Sequence, residues 1–131
     1  MGRPPSNKPT EAELAILQVL WLRGACTVRE IFEALYEPDE TSYTTALKLL
    51  QIMHAKGLVV RDETQRAHSY RAAVSQVLTQ KRFLSDVVTR VFNGSSSQLV
   101  LQALGSTPPA SADELAEIRA LLDRLESQRK E

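Results

Sequence analysis

With 131 residues the chain allows one domain of ordinary size, or a small domain carrying an oligomerisation appendage. Sixteen Lys and Arg cancel sixteen Asp and Glu, nine against nine through Ala72 and seven against seven beyond it, so bulk charge does not announce nucleic acid and only local segregation can. A single cysteine, Cys26, excludes an internal disulfide framework and a paired-cysteine metal site. No apolar run approaches a membrane span and no signal-peptide pattern opens the chain, so a cytoplasmic protein without direct membrane insertion is expected.

Residues 1–9 hold three prolines together with Gly2, Arg3 and Lys8, a composition that buries little and predicts a flexible basic arm. Such an arm can reach DNA through Arg3, or be a plain leader. Thr10-Glu11-Ala12-Glu13 is a capping box, in which a hydroxyl and a carboxylate each satisfy a backbone donor at a helix start. The helix it opens runs to about Arg23, with Leu14, Leu17, Leu20 and Trp21 inward, Ile16 at the margin and Gly24 as its stop. Thr27-Val28-Arg29-Glu30 repeats the box and starts a shorter helix, Ile31 and Leu35 inward, stopped by Pro38.

A short polar turn over 37–40 leads to a third helix, which Thr41 or Ser42 is expected to cap and Gly57 to close. Ala46, Leu49, Leu50 and Met53 recur at helical spacing and face a core, leaving Thr44, Thr45, Lys48, Gln51 and Ile52 on other faces. From Thr41 to Lys56 there are two lysines and no acid. Small hydroxyls and a lysine near a helix start suit a surface that meets phosphates and base edges in a major groove, although an ordinary surface helix carries the same pattern. Two helices joined by a short turn have the spacing of a helix-turn-helix. The runs 58–63 and 67–72 then read as a hairpin around Thr64-Gln65-Arg66, with Val60 and Tyr70 inward and Arg66 at the tip. Three helices followed by a hairpin is the winged-helix order.

From Ser75 onward the pattern is helical. Val77, Leu78, Leu84, Val87, Val88, Val91 and Phe92 mark one helix stopped by Asn93-Gly94, and a second starts near Ser95 and carries Leu99, Val100, Leu101 and Leu104. After Pro108-Pro109, Ser111 and Glu114 cap a last helix with Leu115, Ile118, Leu122 and Leu125 on one face. These helices carry more apolar side chain than so small a unit can hide, which predicts a homodimer rather than a compact monomeric tail.

Candidates for chemistry are few. Cys26, His54 and His68 are the only thiol and imidazoles, and none sits at the spacing of a zinc site or a Cys/His nucleophile. Glu11, Glu13, Glu30 and Glu33 read as caps and solvated helix faces, and the glycines are scattered singly rather than gathered in a phosphate loop. No catalytic residue, metal site, cofactor or small-molecule substrate is expected.

In the order and intervals of its motifs the chain resembles the penicillinase-repressor family of transcriptional regulators (BlaI/MecI type). The likeness runs from Thr10-Glu11-Ala12-Glu13-Leu14 and Val19-Leu20-Trp21, through Thr27-Val28-Arg29-Glu30-Ile31, Tyr43-Thr44-Thr45 and Lys56-Gly57-Leu58-Val59, to Asn93-Gly94-Ser95 and Glu114-Leu115-Ala116-Glu117-Ile118. The resemblance implies a dimeric winged-helix repressor on a palindromic operator. In members that control β-lactam resistance it also implies relief by proteolysis downstream of a membrane sensor with a zinc-protease domain, at a junction that here is Ser95-Ser96. Those members carry a large apolar residue after the cut, where this chain has Ser96. Many relatives have arginine where this chain has Ile52, and the cysteine-rich ending of the copper-responsive branch is replaced by Leu125-Glu126-Ser127-Gln128-Arg129-Lys130-Glu131.

The expectation is therefore a mainly α protein with a small β-hairpin: an arm over 1–9, a winged helix-turn-helix domain over 10–73 and a helical dimerisation region over 74–131. Ser42, Tyr43, Thr44, Thr45, Lys48, Arg66 and Arg3 are the expected contacts to an operator duplex. Leu84, Val87, Val88, Val91, Leu99, Leu101, Leu115, Ile118, Leu122 and Leu125 are the expected dimer contacts. A winged helix that binds protein instead of DNA is the alternative, and balanced charge through Ala72 is its support.

Overall fold

A computed structural model describes residues 8–36, 40–106, 108 and 110–130. The elements in chain order are α1 (Glu11–Arg23), β1 (Cys26–Thr27), α2 (Val28–Leu35), α3 (Glu40–Lys56), β2 (Val59–Asp62), β3 (Ser69–Ala72), α4 (Gln76–Val91), α5 (Ser96–Ser106) and α6 (Ala112–Arg129). The chain divides into two compact units, one through Arg82 and one from Phe83, with the division falling inside α4. Residues 1–7 of the expected arm, Arg3 among them, and Pro38 of the turn after α2 lie outside the described residues; Lys8 and Pro9 are described, and Pro9 is buried.

The first unit is a winged helix. Thr10 caps α1 and Thr27 caps α2, each hydroxyl accepting from the backbone N–H three residues on while Glu13 and Glu30 reach back to the cap N–H. At the other end of α3 the Leu58 N–H donates to the Met53 carbonyl (2.9 Å) and the Gly57 N–H to that of His54 (3.1 Å). This Schellman closure needs a left-handed residue, which Gly57 supplies at φ +82°. Ile16, Leu17 and Leu20 of α1, Ile31 of α2, Leu50 and Met53 of α3, and Val59 and Tyr70 of the sheet form one core with Cys26, Val28 and Leu58. Trp21 ties α1 to the segment that follows β3 by donating its indole Nε1–H to the Val74 carbonyl, 3.0 Å away.

Several expectations are corrected. Ile16 is fully buried and Leu14 only half-buried, so the inward stripe of α1 is rotated toward Ile16, Leu17 and Leu20. In the hairpin Val59 pairs with Ala72 and Arg61 with Tyr70, which puts Val59 and Tyr70 on the buried face and leaves Val60 38% exposed. A strand's period of two means that a misassigned neighbour reverses both faces. The sheet has three strands in the order β1-β3-β2, because Cys26 and Thr27 pair antiparallel with Tyr70 and Ser69. Finally, α3 begins at Glu40, so Thr41 and Ser42 lie within its first turn and are not its cap.

Glu13 is not a solvated carboxylate either. It is only 2% exposed, and its Oε1 accepts both from the Thr10 N–H at 2.8 Å and from Lys56 Nζ at 2.7 Å. Burial pushes this carboxyl up, but the hydrogen bonds from Lys56 and from the Thr10 backbone, with the charge of Lys56, more than offset that and bring it below the ordinary value. One side chain thus caps α1 and holds the last turn of α3.

The second unit contains the rest of α4 with α5 and α6. Asn93 (φ +52°) and Gly94 (φ +83°) end α4. Ser95 Oγ then accepts from the Gln98 N–H at the start of α5, and a complete Ser111–Glu114 capping box opens α6. Neither α5 nor α6 contains a buried residue.

The Glu13–Lys56 pair has a pH signature. With its folded pKa below its unfolded one, Glu13 contributes stability above the unfolded carboxylate range, lost as pH falls through the folded pKa. Lys56→Met strands the buried carboxylate and should cost about 3 kcal/mol at neutral pH in urea unfolding. The gap to the parent should narrow as pH falls from neutral through the carboxylate range, because without Lys56 burial favours the protonated form of Glu13 and protonation removes the stranded charge. A gap constant across that range would show that the pair acts through packing alone.

Candidate nucleic-acid interface

The side of α3 opposite Ala46, Leu50 and Met53 is exposed, and Thr44, Thr45, Lys48, Gln51 and Ile52 lie along it. These residues follow the helical repeat, so they form one stripe of hydroxyls, an ammonium, an amide and a branched apolar side chain. None of them is acidic. The other lysine of this helix does not join the stripe, because Lys56 is held by Glu13.

Ser42 and Tyr43 are half-buried at the start of this face. The Tyr43 ring meets Phe32 edge-on, centroids 5.5 Å apart at 77°, and Phe32 stacks in turn with Tyr36 at 6.2 Å. Tyr43 therefore belongs partly to the packing of α2 on α3. The Arg29 guanidinium lies 4.8 Å from the Tyr43 ring centroid and 5.7 Å from that of Phe32, both within cation–π range.

The wing tip spans 63–68. Asp62 Oδ1 accepts from the Thr64 N–H (2.9 Å) and hydroxyl (2.7 Å), an Asx turn that sets the chain's direction after β2. Arg61 hydrogen-bonds Tyr70 and pairs with Glu63, interactions that raise its pKa. Arg66 is exposed at the tip. Between the wing and the helices runs an open cleft of about 310 Å³, lined among others by Arg29, Tyr43, Leu47, Arg66 and His68.

Tyr43 and Arg66, singled out in the sequence, thus meet at one cleft, while Thr44, Thr45 and Lys48 lie along the exposed stripe and Ser42 sits in the first turn. Arg29 was missed. Its one local signal is Phe32 three residues on, a turn away on the same helix face; the contact to Tyr43 is between helices and invisible to spacing.

In the second unit Leu84, Val87, Val91, Leu101, Leu115, Leu122 and Leu125 are exposed. Val88, Leu99 and Ile118 are half-buried. Ser95 is half-buried and Ser96 is the first residue of α5. Among the described residues no group of three or more His, Cys, Asp and Glu could hold a metal ion, and no helix is long and apolar enough to cross a membrane.

Comparison with known proteins matches residues 9–124 to the family described as penicillinase repressor. Two relatives, each named transcriptional regulator BlaI and found in Mycobacterium tuberculosis strains CDC 1551 / Oshkosh and ATCC 25618 / H37Rv, are 29% identical over 118 residues, covering 89% of this chain and 84% of theirs. With that match spanning both the winged helix and the helices beyond it, the chain belongs to the penicillinase repressor family of transcriptional regulators.

Proposed function

We propose that the protein is a cytoplasmic, sequence-specific repressor that binds a palindromic operator as a homodimer. The observation that carries this reading is the exposed, acid-free stripe of α3, whose opposite face is locked into the core by Ala46, Leu50 and Met53. Rigid backing is what a reading helix needs if its side chains are to meet base edges in register. Thr44, Thr45 and Lys48 are assigned to the major groove, Ser42 to the duplex at the helix start, and Arg66 on the wing to backbone phosphate. Arg3 is assigned to an arm that reaches the same duplex.

The homodimer reading is supported by the second unit. Leu101, Leu122 and Leu125 are each more than half exposed, and no residue of α5 or α6 is fully buried. Amphipathic helices of this length gain most of their stability from a covered apolar face, and a second copy supplies one with matching chemistry. Leu84, Val87, Val88, Val91, Leu99, Leu115 and Ile118 complete the assigned contact set. Two reading helices related by a twofold axis would address half-sites about 34 Å or a multiple apart.

Release by a membrane sensor-protease pathway is assigned to Ser95-Ser96. Ser95 Oγ is bonded to the Gln98 N–H, so a protease needs the first turn of α5 unwound to receive an extended substrate. The second reading, a winged helix that binds protein, rests on the cancelling charge through Ala72.

Thr45→Ala or Lys48→Ala should weaken binding to the protein's own promoter in a gel-shift titration; Lys48→Ala should also flatten the salt dependence by about one unit if it contacts a phosphate. Normal operator affinity in both variants would refute the assignment of α3. A protein-binding module would show neither the steep salt dependence nor a preference for the promoter over random duplex. Separately, Val88→Asp with Leu122→Asp should yield monomers in sedimentation and sharply weaker operator binding. Dimers that persist would move the interface elsewhere.

A further inference from the structure

Arg29 has no role in the reading above, yet its guanidinium is held more firmly than that of an ordinary surface arginine. It lies over two rings, Tyr43 at 4.8 Å and Phe32 at 5.7 Å, which belong to different helices. Contact with two rings from different helices removes much of the rotamer freedom that a long side chain otherwise loses on binding. Among the described residues no carboxylate pairs with it, although Glu30 is its neighbour in the chain, because that carboxylate is drawn back to cap the Thr27 N–H.

The side chain lines the open cleft between the two helices and the wing, and Arg66 and His68 line the same cleft from the wing. The described lining residues include no acid, and Tyr43, Leu47, Val28 and Tyr70 supply its apolar part. At about 310 Å³ the cleft has room for a group much larger than one water molecule. Two arginines from separate parts of the chain, one of them held against two rings, suit a phosphodiester. Arg offers a fork of donors that matches two phosphate oxygens, and an apolar wall suits the adjoining sugar.

We infer that Arg29 and Arg66 grip one backbone phosphate of the bound duplex across this cleft, and that Tyr43 acts as a positioning residue, its ring holding the Arg29 guanidinium in place. The inference rests on the DNA-binding reading and adds to it a phosphate contact on α2 with a role for Tyr43 that is not base recognition. It accounts for a tyrosine at the mouth of the reading helix whose ring is half-buried against Phe32.

The test uses the full chain, a duplex from its own promoter and a random duplex of equal length, titrated by fluorescence anisotropy over a range of salt. Arg29→Gln should weaken both duplexes by the same factor, roughly tenfold, and flatten the log affinity against log salt line by about one unit. Arg29→Lys retains the charge and should keep the parent slope while losing part of the affinity, a rescue that a purely structural role would not produce. Tyr43→Phe keeps the ring and should match the parent on both duplexes; a loss there would overturn the assignment of the ring as a support.

A parent that binds neither duplex would remove the DNA-binding reading itself. A parent that binds with steep salt dependence, beside an Arg29→Gln protein of unchanged slope, would overturn this inference alone. A loss confined to the promoter duplex would also overturn it, since that pattern belongs to a base contact. Should Arg29→Gln lose the parent's circular dichroism, Arg29→Lys decides: equal weakening of both duplexes upholds the seat, and unchanged affinity for both removes it.

Discussion

The winged helix depends on one carboxylate that serves two masters. Glu13 closes the capping box of α1 and receives the ammonium of Lys56 in the last turn of α3, so the start of one helix is fastened to the end of another 43 residues away. The apolar contacts of Leu17, Leu20, Leu50 and Met53 press the same helices together without fixing how far one slides along the other. A buried charged pair is a poor source of net stability, because desolvation consumes most of the attraction; what it adds is a penalty on every arrangement that separates the charges. The exposed stripe of α3 therefore has a defined place relative to α1, and through α1 to Trp21 and the Val74 carbonyl that follows β3.

What was legible in the sequence was what is decided locally. The boxes at Thr10, Thr27 and Ser111 each involve groups three residues apart, and Gly57 answers a backbone requirement for positive φ at a helix end. The inward positions of α3 were legible because small and large apolar residues recur on one face with polar residues on the other. What was not legible depends on a partner from far along the chain. Leu14 and Ile16 are equally good helix-core residues, and only the placement of α2, α3 and the sheet decides between them. Val59 and Val60 are adjacent identical side chains, so the choice of face falls to pairing with Ala72 and Arg71. A strand of two residues such as β1 has no period to detect, and it exists because β3 passes beside it.

The candidate site divides along the same line. Thr44, Thr45 and Lys48 could be placed by periodicity since they need only be outward. Lys56, by contrast, looked like part of the same basic run and is held by Glu13, while Arg29 looked like one residue of a capping box and lies on an aromatic pair assembled from two helices. A charge count along the chain cannot see either fact, because it does not record which charges already have partners.

That distinction also bears on how a chain of zero net charge could approach a polyanion. Several acids of the winged helix are engaged with the protein itself: Glu13 with Lys56 and Thr10, Glu30 with the Thr27 N–H, Asp62 with Thr64, and Glu63 with Arg61. The backbone N–H groups of Thr27 and Thr64 hold the carboxyls of Glu30 and Asp62 below their usual range, so these charges persist but are directed at donors of their own turns. At physiological salt the field of an exposed charge fades within about 8 Å, which makes the immediate neighbourhood of a phosphate matter more than the total for the domain. Along the stripe from Thr44 to Ile52 and in the described lining of the cleft, the charged side chains are cations. Cancellation over the whole domain then limits long-range attraction to any duplex, while leaving the short-range contacts that depend on shape and register, the balance that favours one site over the surrounding DNA.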